Sequence, residues 1–188
     1  MALAPVLTAR ITAEEFLCMP ESGDHELVNG ELVEVPMGFD SSWMGGELYG
    51  LARNFVRDNA LGIVAPQETG IQVWPDDPTR VRKPDLLFIK KGRLPRGPLP
   101  SGWLTVVPDL VVEVVSTNDR VPNLHRKIQD YRRAGVPLIW VIFPDPLKAQ
   151  IYRSAGPIDE LGPDDSLDGE DILPGFRCPL SALRPILE

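Results

Sequence analysis

The chain has 188 residues, 43% of them hydrophobic, and carries 27 Asp and Glu against 19 Lys and Arg for a formal net charge of -8. That length and apolar fraction suit one globular domain with a full core, and no run of 18 or more apolar residues offers a membrane span. Cys18 and Cys178, far apart and alone, exclude a disulfide framework or a CxxC site; a phosphate-cradling GxxxxGK loop, a dinucleotide fingerprint and a His/Cys zinc cluster are absent too.

The start, MALAPVLTAR, lacks the charged leader, long apolar stretch and cleavage site of a signal peptide, so a cytoplasmic protein without a membrane partner is expected. Thr12 to Met19 reads as a short helix, with Thr12 as cap and Glu15 completing a capping box. Glu26 to Val35 alternates apolar and acidic residues around Asn29-Gly30, a strong hairpin signal. Trp43 to Asn59 is predicted as the first long helix, with Leu48, Leu51 and Phe55 facing inward and Gly45 and Gly46 weakening its first turn. Ile63 to Val64 and Gly70 to Trp74 read as strands around a Gln67-Glu68-Thr69 break. Arg80 to Lys90 is a strand carrying Asp85, and 92 to 103 is a Pro/Gly-rich loop too long for a simple connector. Beyond the central stretch, Pro137 to Phe143 and Ala149 to Arg153 pair across an Asp145-Pro146 turn. The remainder, from Ser154, is acidic and turn-rich, with ILPGF as its last clear apolar element.

The informative stretch is Pro108 to Gly135, PDLVVEVVSTNDRVPNLHRKIQDYRRAG. Leu110 to Val115 has the composition of a strand covered on both faces, yet Glu113 interrupts it. Alternation puts Val111, Glu113 and Val115 on one face and Leu110, Val112 and Val114 on the other. A carboxylate among valines is costly unless protonated, paired or metal-bound. Asp85, in VRKPDLLFIKK, opens a second apolar strand in the same way. Two acids at neighbouring strand positions bring oxygens together as a hard divalent cation such as magnesium requires; an arginine pair or a solvent-reaching strand end is the other reading of each. From Asn123, Leu124, Ile128 and Tyr131 make a narrow apolar stripe stopped by Gly135, and Lys127 lies on its flank. A flanking lysine either snorkels to water or, returned over the sheet near Glu113, stabilises charge developing on a phosphate.

Six ordered segments, ELVNGELVEVP, VRKPDLLFI, PDLVVEVVS, RKIQDYRRAGV, IWVIFPD and ILPGF, resemble the Uma-type putative restriction endonucleases, a branch of the PD-(D/E)XK nuclease superfamily, from about Thr12 to Leu183. The resemblance implies an α/β fold: a restriction-endonuclease-like mixed β-sheet flanked by helices, with an N-terminal helix and hairpin (12–36), a core of about 41–153 and an acidic C-terminal segment (154–188) in one domain, 1–188. It implies Asp85 and Glu113 as the metal-binding acids for Mg2+ or Mn2+, and Lys127 as a catalytic lysine relocated from the strand, where Val115 now stands. Glu26 and Glu31 are candidate accessory acids. Members often carry a histidine before the first core helix; here Ser41, Ser42 and Trp43 occupy that place.

The implied activity is metal-dependent hydrolysis of nucleic-acid phosphodiesters, with DNA as substrate and a homodimer as the working form. Net charge argues against a polyanion, but residues 80 to 133 hold twelve Lys and Arg against five Asp and Glu, which makes Arg82, Lys83, Arg120 and Arg126 candidate nucleic-acid contacts. Two other readings stand beside it. One is an inactive nuclease-fold module that binds nucleic acid or protein, with Lys127 as the acids' permanent counter-ion. The other is a hydrolase of small phosphoesters, which needs a closed pocket.

Overall fold

The computed structural model describes residues 10–36, 38–99 and 101–185. The first nine residues of the start read above, and Pro100 of the 92–103 loop, lie outside them.

A six-stranded mixed sheet organises the chain. Its strands are β3 (Gly62–Pro66), β4 (Leu86–Lys90), β5 (Leu110–Val114), β6 (Leu138–Phe143), β7 (Lys148–Arg153) and β8 (Asp159–Leu161), and they lie in that order across the sheet. Only β5 and β6 run parallel; every other neighbour is antiparallel. A parallel pair needs a crossover, and helix α3 (Val121–Ala134) supplies it. The expected alternation holds: Leu110, Val112 and Val114 pack on one face with Leu86, Phe88 and Trp140, while Val111 packs on the other with Leu87, Ile89 and Ile139.

Helix α2 (Phe39–Asp58) covers the first face through Met44, Leu48, Ala52 and Val56. It starts four residues earlier than its apolar period predicts. Gly38 caps it without a side-chain bond, while Asp40 Oδ1 accepts the Ser41 N–H at 2.8 Å, so the first turn forms from polar residues that carry no periodic signal. The second face is covered by α3 through Ile128 and Tyr131, together with Ile71, Val73 and Trp74. That last segment is not the regular strand expected for Gly70 to Trp74: Ile71 alone bridges to Arg82 and Leu104. The strand expected from Arg80 to Lys90 is likewise divided, because Val81 and Arg82 bridge to Leu27 and Ile71 and the sheet strand begins only at Leu86.

Helix α1 (Ala13–Leu17) has the predicted capping box between Thr12 and Glu15. The hairpin of β1 (His25–Val28) and β2 (Glu31–Glu34) turns through Asn29 and Gly30 at φ 53° and 79°, the left-handed pair that a two-residue turn requires. Phe16, Leu27 and Val81 join them into a third apolar cluster, on which Trp103 stacks at 5.4 Å from Phe16. The C-terminal segment is more ordered than its acidic composition suggests. Besides β8 it forms an antiparallel pair of β9 (Ser166–Asp168) and β10 (Arg177–Pro179), and Leu167, Leu173, Phe176 and Leu180 extend the core under α2.

Candidate active site

Asp85 and Glu113 meet across the β4–β5 pair. Leu86 opposes Val112 and Leu87 opposes Val111, so continuing the antiparallel register by one residue sets Asp85 opposite Glu113. Asp85 is half-buried at the mouth of β4, and its Oδ2 accepts the Val114 N–H at 2.6 Å. It lines a cleft of about 330 Å³ with Ser41, Ser42, Gly45, Tyr49, Pro66 and Glu68. At Gly45 a Cβ would lie 3.9 Å from that of Asp85, so α2 passes directly alongside the acid.

Glu113 is only 5% exposed and both its oxygens have donors: Tyr131 Oη donates to Oε1 at 2.6 Å and Lys127 Nζ to Oε2 at 3.0 Å. Both donors come from α3, four residues apart on one face, which is how the crossover brings Lys127 over the sheet. Lys127 Nζ also lies 3.3 Å from Glu26 Oε1. From there the network runs on. Arg82 Nη1 donates to Glu26 Oε2 at 2.7 Å and Arg82 Nη2 to Asp130 Oδ2 at 2.6 Å, while Arg80 Nη1 donates to Asp130 Oδ1 at 2.8 Å.

The candidate residues therefore sort by place. Asp85, Glu113, Lys127 and Glu26 are brought together; Glu31 is exposed on β2. Arg82 and Lys83, expected to contact nucleic acid, are 2% and 3% exposed. Arg82 is bound to carboxylates on two sides, and Lys83 Nζ donates to the Ser22 and Gly23 carbonyls, so neither cation faces a polyanion. Arg120 and Arg126 are exposed at the start of α3. Tyr131 carries a polar role that its place in an apolar stripe concealed; its spacing of four from Lys127 was the available signal. Asp130 and Arg82 pair across 48 residues of sequence, and Glu68 reaches the cleft from the break after β3; neither has a local signature.

Charge in this network is unevenly balanced. Burial pushes Asp85 up to about 6 against the pull of Lys127 and the Val114 N–H, and burial with the nearby Asp85 and Glu26 charges pushes Glu113 up to about 7. Burial alone would raise Glu26 as well, but Lys127 and Arg82 outweigh it and hold that acid below its ordinary value. Burial would likewise lower Lys127, yet Glu113, Glu26 and Asp85 raise it well above an ordinary lysine, so it stays protonated.

Among the described residues, no group of three or more His, Cys, Asp or Glu is arranged to hold a metal ion. The donor set nevertheless fits a hard divalent cation: two carboxylates on neighbouring strands, one of them opening to a cleft with room for water. A carboxylate offers about four lone-pair sites, so the existing donors to Asp85 and Glu113 leave acceptor capacity on both.

Residues 13–181 match the model of the Uma2 family, described as putative restriction endonucleases. A crystal structure of a putative nuclease belonging to DUF820 from Anabaena variabilis matches with a TM-score of 0.78, covering 92% of this chain and 97% of that one at 20% sequence identity, a likeness of fold. No curated protein matches the sequence.

Proposed function

The chain belongs to the Uma2 family of putative restriction endonucleases, and from that premise we propose that it is a Mg2+- or Mn2+-dependent endonuclease that hydrolyses phosphodiester bonds of DNA. The observation that carries this reading is Asp85 bound to the Val114 N–H, next in the chain to Glu113, with Lys127 brought onto Glu113 by α3. Asp85, Glu113 and a backbone carbonyl near Val114 would hold the ion. When bound, it supplies neutralisation of charge on the phosphate and a lowered pKa for water beside it.

The protein's own groups do the rest. Lys127, held protonated by three acids, serves as a cation and proton donor and not as a base; it stabilises charge on a phosphate oxygen or orients the attacking water. Tyr131 and Lys127 fix the Glu113 carboxylate from both sides. Arg82, anchored on Asp130, fixes Glu26 and so the second contact of Lys127. Asp85 faces the cleft through which a phosphate arrives. A cytoplasmic homodimer, with one site for each strand, completes the proposal.

One observation favours the inactive module instead: both Glu113 oxygens already have donors, and the strand position that the superfamily gives to lysine is Val115. Calorimetric titration of Mg2+ and Mn2+ into wild type and Asp85→Ala, followed by plasmid nicking in the same buffers, separates the two. The nuclease reading expects millimolar or tighter binding that Asp85→Ala abolishes, with metal-dependent nicking. Neither binding nor nicking by wild type would leave the module.

A further inference from the structure

The basic region that the sequence offered as a nucleic-acid surface is largely consumed inside the protein. Arg80, Arg82 and Lys127 are paired with buried acids, and Arg93 with Asp109. A different set of cations stands together at the far end of α2. There Arg53 and Arg57 from the helix meet Lys90 and Lys91 from the end of β4 around a hollow of about 520 Å³. No acid lines it. Its floor is apolar, made by Val56, Val64 and Ile89, with Ile63 39% exposed. Lys90 gives one N–H to the Asp171 carbonyl and Arg57 gives Nε to Asp58, so each keeps further donors.

The hollow and the Asp85 cleft are built on the same three elements. The first half of α2 lines the cleft and the second half lines the hollow; Pro66 belongs to the cleft, Gly62 to Val64 to the hollow; Asp85 opens β4 and Lys90 closes it. The five residue steps from Asp85 to Lys90 along the strand span ~17 Å. The twelve residue steps from Gly45 to Arg57 along the helix span ~18 Å. The two rulers agree, so the acid and the cations stand about 17 Å apart along the same two elements. One strand of B-form DNA carries a phosphate every ~3.4 Å of axis, so that distance covers about five phosphates.

We propose that the Arg53–Arg57–Lys90–Lys91 hollow is a backbone-phosphate site that holds the nucleic-acid strand about five nucleotides from the bond cut at Asp85. The inference rests on the nuclease reading and adds where the substrate is held. Four cations, of which Arg57 also pairs with Asp58, are the feature a protein of net charge -8 needs to retain a polyanion.

The test uses the full chain and a fluorescein-labelled 20-base-pair DNA, as duplex and as single strand. Anisotropy is read in EDTA from 0.05 to 0.2 M salt, and plasmid nicking with Mg2+ is followed against plasmid concentration. Arg53→Gln with Lys91→Gln removes two exposed charges; Arg132→Gln with Arg177→Gln is the charge-matched control elsewhere on the surface. Losing two phosphate contacts lowers the slope of log K against log salt by ~1.8 on duplex and ~1.4 on single strand, and weakens binding on the order of 10- to 60-fold at 0.1 M salt. The control pair should stay within about threefold, as a general net-charge effect would leave it. Equal losses in both pairs, or unchanged affinity and nicking KM in the groove pair, would overturn the site while leaving the nuclease reading intact. Tight binding by the hollow of an acidic peptide, with DNA affinity unchanged in the variant, would assign it to a protein partner. Wild type that neither binds nor nicks DNA would overturn the nuclease reading and the site with it.

Discussion

Replacing Lys127 by methionine tests whether one ammonium holds the buried acids together. The side chain keeps its length and apolar stem but loses the charge that lies 3.0 Å from Glu113 and 3.3 Å from Glu26. Both acids are nearly sealed from water, at 5% and 2% exposure, so the loss is that of a buried partner, about 3–5 kcal/mol, rather than that of a surface pair. The penalty depends on pH, with a definite sign. Without Lys127, Glu113, already pushed up to about 7, moves higher still, and Glu26, held below its ordinary value by Lys127 and Arg82, loses its largest opposing charge and rises through the same window to carry most of the difference. A carboxyl whose folded pKa is raised binds more protons folded than unfolded, so its contribution is present below the unfolded value and is lost as pH rises through the folded one, by up to ~1.4 kcal/mol per pH unit per group. Urea unfolding of Lys127→Met against wild type should therefore show a small deficit at pH 5 and one at least ~2 kcal/mol larger at pH 7.5. If Mg2+ binds with a Kd of about 1 mM, 10 mM of it restores ~1.4 kcal/mol. A deficit below ~1 kcal/mol at pH 7.5, with no dependence on pH, would refute the assignment of Lys127 as the charge partner of these acids.

Three further outcomes follow from the same geometry. Protons compete with a cation for Asp85 and Glu113, so Mg2+ affinity should rise as pH rises through 6 to 7; calorimetry at pH 5.5 should show it at least ~10-fold weaker than at pH 7.5. Tyr131→Phe strips one donor from buried Glu113 and should cost ~1–3 kcal/mol in urea unfolding; a neutral substitution would mean that the 2.6 Å bond contributes nothing. Gly62→Ala sets a Cβ 2.0 Å from the Ile89 carbonyl at φ 157°, where β3 leaves the turn after α2, and thermal unfolding should register a loss above ~2 kcal/mol.

How far the sequence spoke for the fold depended on the range of each interaction. The Asn29-Gly30 turn, the Thr12 capping box and the two faces of β5 are settled within a few residues, and each reads directly from the letters. The acid pair was legible for the same reason: an acid in a run of valines is a local contradiction. Lys127 was legible as a flanking lysine, and what it touches followed only once the crossover brought α3 over β5. Arg82 and Lys83 show the limit. A basic residue next to a strand announces charge but not direction, and Arg82 points inward because Glu26 and Asp130 wait 56 and 48 residues away. The C-terminal strands β8, β9 and β10 have three residues each, too short to express a period of two; β8 is held by its pairing with β7, and β9 and β10 by Leu167 and Phe176, the latter against Phe55 and Trp140.

The parallel β5–β6 pair has one more consequence. Because its connection must cross a face of the sheet, α3 sweeps a whole helical surface past Glu113, and several of its positions come within reach of that one carboxylate; Lys127 and Tyr131 both arrive this way. The positive charge beside Glu113 is thus tied to a point in space that the crossover reaches. Val115, on the strand itself, packs as an apolar neighbour of the second core cluster. The spacing of 14 residues between Glu113 and Lys127 is accordingly set by the crossover and not by the period of the strand.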